Sequence, residues 1–264
     1  MCKLCAFSAH INFFQLGKFK TSNIFFQSTT YSIIMNRNEK PVDLRFVPGS
    51  THLMVGPTGS GKSFRTAEIL RLKNQIIRGG QHIKNVVFCY STWQPLYTQL
   101  EREGVVTKWL KKLPSNEEFV ELVGDYKDQG GSIVIVDDHM GNIGPELVEI
   151  VTVTARHTNT SLFLLFQSLF PSNPLARQIS LNVKYFHIHK NPRENAQLQY
   201  LARQLRPDDY KWIDKAYHKA TEKPFSCFLI DLYQETKERL RFRSSFLPQE
   251  APMKTWVSTS RPRI

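Results

Sequence analysis

Three stretches of this 264-residue chain place reactive side chains at spacings that suit one chemistry. The first is Gly56-Pro57-Thr58-Gly59-Ser60-Gly61-Lys62-Ser63. Its glycines let successive backbone N–H groups turn inward around an anion, and a following helix would aim its positive end at the same point. In such a loop the lysine, Lys62, reaches the β- and γ-phosphates of a nucleoside triphosphate, and the Ser63 hydroxyl ligates Mg²⁺. Residues 56–63 are therefore all candidate contacts to the phosphates, with ATP as the expected nucleotide. The context fits, because the apolar run His52–Val55 enters the loop and Lys62–Ile77 carries helix-spaced apolar residues at Phe64, Ala67, Ile69, Leu70, Leu72 and Ile76.

The second stretch is Ser132-Ile-Val-Ile-Val136 followed by Asp137 and Asp138. An acidic residue at the tip of a buried strand can hold Mg²⁺ beside the triphosphate, which is the role expected of Asp137. Asp138, one step on, would face the γ-phosphate and act as general base or water-positioning group. An acidic pair capping the next segment is the plainer alternative. The third stretch is Ser161–Phe166 ending in Gln167. If this strand lies between the first and third strands, Gln167 faces the γ-phosphate and can report hydrolysis; otherwise it is a polar strand end. Arg156, just upstream, is a candidate arginine finger acting on a neighbouring subunit, or a helix-terminal arginine favoured by the helix dipole. Arg177, Arg193, Arg203 and Arg206 are its rivals.

These groups need a scaffold that brings strand ends together. Apolar runs at Asn85–Tyr90, Ser132–Val136, Ser161–Phe166 and Val183–His189 are nearly continuous rather than alternating, as in parallel strands covered on both faces. Helix-like stretches stand between or after them, at 116–123, 145–154, 194–205 and 208–220, and 226–232 with 239–246 reads as a closing strand pair. Strands alternating with helices predict an α/β fold. The expected organisation is a poorly ordered extension over 1–40, an NTPase domain over 41–247 and a flexible tail over 248–264. Residues 1–34 contain no acidic residue, and Met35 stands just before more ordinary sequence.

Totals narrow the function. Apolar residues make up 41%, enough for a core. No apolar run approaches membrane-spanning length, so no membrane association is expected. The net charge of +12 points to a polyanionic partner, nucleic acid first. Lys190, Arg193, Arg203 and Arg206 could contact DNA phosphates or form a solvated face. The four cysteines make no disulfide framework; Cys2 and Cys5 form a CxxC pair with no second half of a zinc site.

The phosphate loop, the Asp137-Asp138 pair and the run from Arg156 through Gln167 to Phe170 resemble the genome-packaging ATPases of large DNA viruses and Polinton (Maverick) elements, within the FtsK–HerA superfamily. The resemblance continues through Ile179–Asn182, Lys190–Arg193, Leu201–Gln204 and Phe228–Asp231, and covers about residues 40–247. It implies a three-layer, RecA-like (ASCE) P-loop NTPase core, a homo-oligomeric ring, and ATP-driven movement of double-stranded DNA into a shell of capsid proteins, inside the host nucleus or the virion. It also implies Lys62 and Ser63 as phosphate and Mg²⁺ residues, Asp137 and Asp138 as metal and catalytic carboxylates, and Gln167 as sensor. Two other readings stay open on the residues alone: a nucleoside or nucleotide kinase, and an ATP-dependent DNA- or capsid-binding switch that does not hydrolyse.

Overall fold

The computed structural model describes residues 25–26, 32–34, 42–137, 143–171, 173–193, 195–250 and 252–258. Three short strands, β1 (Phe25–Phe26), β2 (Ser32–Ile34) and β3 (Val42–Asp43), pair antiparallel as a small sheet. β1 and β2 fall within the expected N-terminal extension; the rest of that extension, with Cys2 and Cys5, lies outside the described residues.

The main sheet is built from β4 (Thr51–Val55), β5 (Asn85–Tyr90), β6 (Lys108–Leu110), β7 (Ser132–Asp137), β8 (Thr160–Phe166), β9 (Tyr185–His189), β10 (Cys227–Asp231), β11 (Phe242–Ser244) and β12 (Lys254–Thr255). Its order is β12-β11-β10-β9-β4-β8-β7-β5-β6. The strands from β9 to β6 run parallel, and β10, β11 and β12 continue the sheet antiparallel. Every residue of β4, β7 and β8 is buried, which explains why these runs are apolar without alternation.

Helices cover both faces. One layer holds α1 (Lys62–Arg71), α2 (Lys73–Ile76) and α3 (Pro95–Arg102), packed through Ala67, Leu70, Ile76, Tyr97 and Leu100 against Met54, Phe88, Ile135 and Leu165. The other holds α4 (Asn116–Val123), α5 (Pro145–Glu149), α6 (Ala155–His157), α7 (Pro174–Asn182), α8 (Asn195–Leu205) and α9 (Tyr210–Ala220). These meet the sheet through residues such as Phe119, Leu147, Ile179, Leu201 and Ile213. Helix–sheet–helix layering and a mostly parallel sheet are as the sequence implied. Between α5 and α6 the chain makes a π-helical turn, Ile150–Thr154.

Three readings change. The helix expected over Lys62–Ile77 breaks at Leu72 (φ −99°, ψ 9°), and Ile77 turns extended before the glycine pair is reached. Phe46 captures that backbone: its N–H donates to Ile76 O at 2.7 Å and its carbonyl accepts from Arg78 N at 2.9 Å. The structure adds two helices, α3 and α7, beyond those expected, each opened by Pro at the first helical position, a start signal. The expected flexible tail over 248–264 is a correction for its described part. β12 pairs with β11, Trp256 is buried with its indole N–H on Ser244 Oγ at 3.1 Å, and Glu250 forms an ion pair with Arg65. A two-residue strand is too short to show periodicity, so this docking left no pattern to read. Residues 259–264 lie outside the described residues.

Candidate functional site

β4 delivers the chain into the loop at Gly56, and α1 leaves it at Lys62. Two glycines are required by geometry. Gly61 has φ +95°, a left-handed conformation that lets it cap α1, and a side chain on Gly56 would lie 2.6 Å from Ser60 Oγ and 2.8 Å from His189 Cβ. The Gly56 N–H donates to Phe166 O at 3.2 Å, fastening the loop to the end of β8. Lys62 is buried, and its Nζ donates to the carbonyls of Gly56 and Pro57 at 2.6 and 3.0 Å. The curled loop, the helix N-terminus and this ammonium make an anion cradle.

Asp137, at the carboxyl end of β7, meets the cradle. Its Oδ2 accepts from Ser63 Oγ at 2.8 Å and from the Tyr97 hydroxyl at 2.6 Å. A hydroxyl and a carboxylate side by side are hard oxygen donors that fit Mg²⁺, which takes one or two protein ligands beside substrate phosphates. Tyr97 was not singled out in the sequence. The apolar spacing of Leu96, Tyr97 and Leu100 after Pro95 would have revealed α3 and its buried face, though not the partner of the hydroxyl. Asp138 lies outside the described residues.

Gln167 follows β8, and β8 lies between β4 and β7, the arrangement on which its reading depended. A cleft of about 340 Å³ is lined by Thr58, Lys62, Ser63, Phe64, Asp137 and Gln167 among others, so one space gathers the loop, the strand tip and the glutamine. A larger cleft, about 560 Å³, lies beside β6 and α4 between residues such as Lys108, Glu118 and Asp125, without a comparable set of converging groups.

Arg156 is not brought to this cleft. It is exposed in α6, before β8 begins, and so sits at the amino edge of the sheet, a strand length of about 20 Å from the loop. Arg177 is exposed on α7. Arg203 and Arg206 lie over aromatic rings, 4.5 Å from the centroid of Tyr210 and 6.0 Å from that of Trp212. Lys190 and Arg193 are exposed just beyond β9, at the same carboxyl edge as the loop.

Behind the loop lies a buried set of histidines. His52 Nδ1 and His187 Nε2 are 3.1 Å apart, and Ser50 Oγ lies 3.1 Å from His52 Nε2. Burial pushes His52 down to about 3. Burial, then Arg65 and Lys62, take His189 to about 3. His187 falls well below its ordinary value through burial and the charge that His52 would carry. All three therefore remain neutral near pH 7, and His189 lies against the cradle, its Cβ close to Gly56. Among the described residues no group of three or more His, Cys, Asp and Glu is placed to hold a metal ion.

One strand, β8, separates the phosphate loop from the acidic strand tip, and this order with helices on both faces is that of RecA-like P-loop NTPases, the class to which the fold and site assign the chain. No protein-family model and no curated protein matches the sequence. Solved structures to which it is similar include the genome packaging NTPase B204 from Sulfolobus turreted icosahedral virus 2 in complex with ATP-γS, at 15% identity over 72% of this chain and 95% of that one, with a TM-score of 0.49. A KaiC-like protein from Pyrococcus horikoshii OT3 is similar at 12% identity over 80% and 92%, TM-score 0.43. The N-terminal domain of zonular occludens toxin from Neisseria meningitidis is similar at 20% identity over 53% and 76%, TM-score 0.33. No helix among the described residues is long and apolar enough to cross a membrane.

Proposed function

We propose that this chain is an ATPase that drives double-stranded DNA, packaging a viral or virus-derived genome into a capsid. The observation that carries the ATPase reading is the 2.8 Å contact between Ser63 Oγ and Asp137 Oδ2 at the foot of a cleft that Lys62 and Gln167 also line. Lys62 and the loop N–H groups hold the β- and γ-phosphates. Ser63 and Asp137 hold Mg²⁺, which when bound neutralises charge on the phosphate oxygens. Gln167 senses the γ-phosphate and passes its state to the loop through the end of β8, where Phe166 O binds Gly56 N. Asp138 follows Asp137 directly and is assigned the water-positioning role.

The DNA and capsid parts of the reading rest on the sequence resemblance over residues 156–204 and on the net charge of +12. A motor grips its track through backbone phosphates without reading bases. Lys190 and Arg193, exposed at the carboxyl edge, are the DNA contacts that this reading favours. Arg156, remote from its own cleft, can complete only a neighbour's site, which goes with a homo-oligomeric ring.

The test is ATP turnover with and without double-stranded DNA, on protein sized by light scattering. DNA should stimulate hydrolysis, the stimulation should fade steeply with salt, and Lys62→Ala should abolish turnover. Turnover indifferent to DNA would remove the motor reading and leave the ATPase.

A further inference from the structure

The phosphate cleft does not end at the phosphates. Phe64, the residue after Ser63, lines it together with Asp137 and Gln167. Phe64 also lines a second cleft of about 480 Å³, together with Phe225, Lys223 and Pro224. That volume lies within the range of roughly 300–1,000 Å³ of small-molecule sites. Phe64 is 58% exposed and Phe225 is 62% exposed, so two large aromatic rings flank this cleft with their surfaces in water. Singly exposed aromatics are ordinary, but here Phe64 lines both clefts and Phe225 lies close to Gly61 of the loop, so the pair stands beside the anion cradle.

Phe225 is held there against its backbone preference. Its φ is +61°, a left-handed conformation that a bulky residue adopts only when its surroundings impose it. Arg65 Nη2 donates to the Phe225 carbonyl at 3.2 Å while also gripping Glu250 through both carboxylate oxygens. Phe225 is in turn close to the loop, since a side chain placed on Gly61 would come within 3.2 Å of the Phe225 Cβ. The α1 residue next to Phe64 thus ties down the loop that presents Phe225. The polar side chains around the cleft are largely engaged with one another: Gln249 donates to Glu68, Ser226 donates to Lys223 O, and Arg65 pairs with Glu250.

We infer that Phe64 and Phe225 form the nucleobase subsite, and that they hold the base by stacking on its face rather than by reading its edge. This rests on the triphosphate reading of the adjoining cradle. Stacking on an aromatic ring serves every base, because each has a π-face. The chain therefore takes nucleoside triphosphates as a class, GTP in place of ATP included.

Binding of MgATP, MgGTP and Mg-tripolyphosphate, the last a probe with no base, tests this by calorimetry on the full chain. ATP and GTP should bind within about threefold of each other. Phe225→Gly removes the ring and relieves the left-handed strain, so it should not lower the melting temperature. It should weaken ATP about tenfold and leave tripolyphosphate unchanged. Phe64→Ala should do the same to the two probes. Loss of ATP and tripolyphosphate alike in both variants, loss of neither, or a preference for ATP over GTP beyond tenfold overturns the stacking subsite alone. Full binding of all three probes by Lys62→Ala overturns the triphosphate reading beneath it.

Discussion

The Tyr97 hydroxyl donates to Oδ2 of Asp137 at 2.6 Å, the same oxygen that accepts from Ser63. Tyr97 is buried on α3 and packs against Phe88 and Trp109, with ring centroids at 4.8 and 5.6 Å, so the phenol cannot swing away easily. It orients the carboxylate proposed above to hold Mg²⁺. Partners that orient a metal ligand typically matter by 10–100-fold in metal affinity or activity. Tyr97→Phe is expected to raise the Mg²⁺ concentration for half-maximal ATP turnover by about tenfold while leaving the melting temperature within a few degrees. An unchanged Mg²⁺ requirement would show that the hydroxyl only satisfies a buried group.

The buried histidines make stability depend on pH. His52 and His189 sit near 3 when folded, through burial, against about 6.5 when unfolded, and His187 is shifted the same way. Above about pH 6.5 both states leave these rings neutral and the full stability is present. As pH falls below that value the unfolded chain takes up protons that the folded chain refuses, a loss of about 1.4 kcal/mol per pH unit for each ring. Positive charge on Lys62, Arg65 and Arg243 nearby acts in the same direction. Thermal unfolding followed from pH 8 to pH 5 should be flat at first and then drop by several degrees per unit below pH 6. A melting temperature that stays level down to pH 5 would contradict neutral histidines in the folded state.

Asp231 and Arg243 pair at 2.5 Å, both almost fully buried, and Arg243 also donates to Leu44 O. Removing one charge leaves the other without compensation. Asp231→Ala is expected to destabilise the fold by about 3–5 kcal/mol in urea unfolding. Asp231→Asn keeps an acceptor and should lose less. If the alanine variant unfolds at the same urea concentration as the parent, the pair contributes nothing to the antiparallel half of the sheet.

Burial pushes the Cys89 thiol up to about 12 and the Cys227 thiol up to about 11. At pH 8 neither carries a useful fraction of thiolate, the form that reacts. Alkylation mapped site by site by mass spectrometry should find both unmodified in the native protein and fully modified in guanidinium. Rapid labelling of Cys89 in the native state would mean that β5 is not where the sheet order puts it.

The phosphate loop and the acidic strand tip were legible because each is carried by contiguous residues: eight from Gly56 to Ser63, and a buried strand ending in Asp137. The parallel core was legible for the same reason, since strands covered on both faces must be apolar along their whole length. What escaped was contributed across distance. Tyr97 reaches Asp137 from 40 positions away, and Glu250 reaches Arg65 from 185. Neither partner stands in a motif. The segment from Pro248 read as a tail because its polar composition hides two apolar anchors, Met253 and Trp256, each buried against a different layer. The first helix is shorter than its apolar spacing implies, because that spacing says nothing of the break at Leu72 or of Phe46, whose backbone takes up the chain around Ile77 at the end of α2.

Strand order also governs when the site can exist. The central strand β4 emerges early in synthesis, but Thr51 must find Leu162 and His52 must find Tyr185 before either flank is covered. A nascent chain that stops before Thr160 carries the entire glycine loop on a strand with two bare edges. Pairings so far apart along the chain form slowly and leave sticky intermediates. The loop is framed on both sides only once β8 and β9 have been made, and fragments that contain the loop but end before Thr160 should aggregate rather than bind nucleotide.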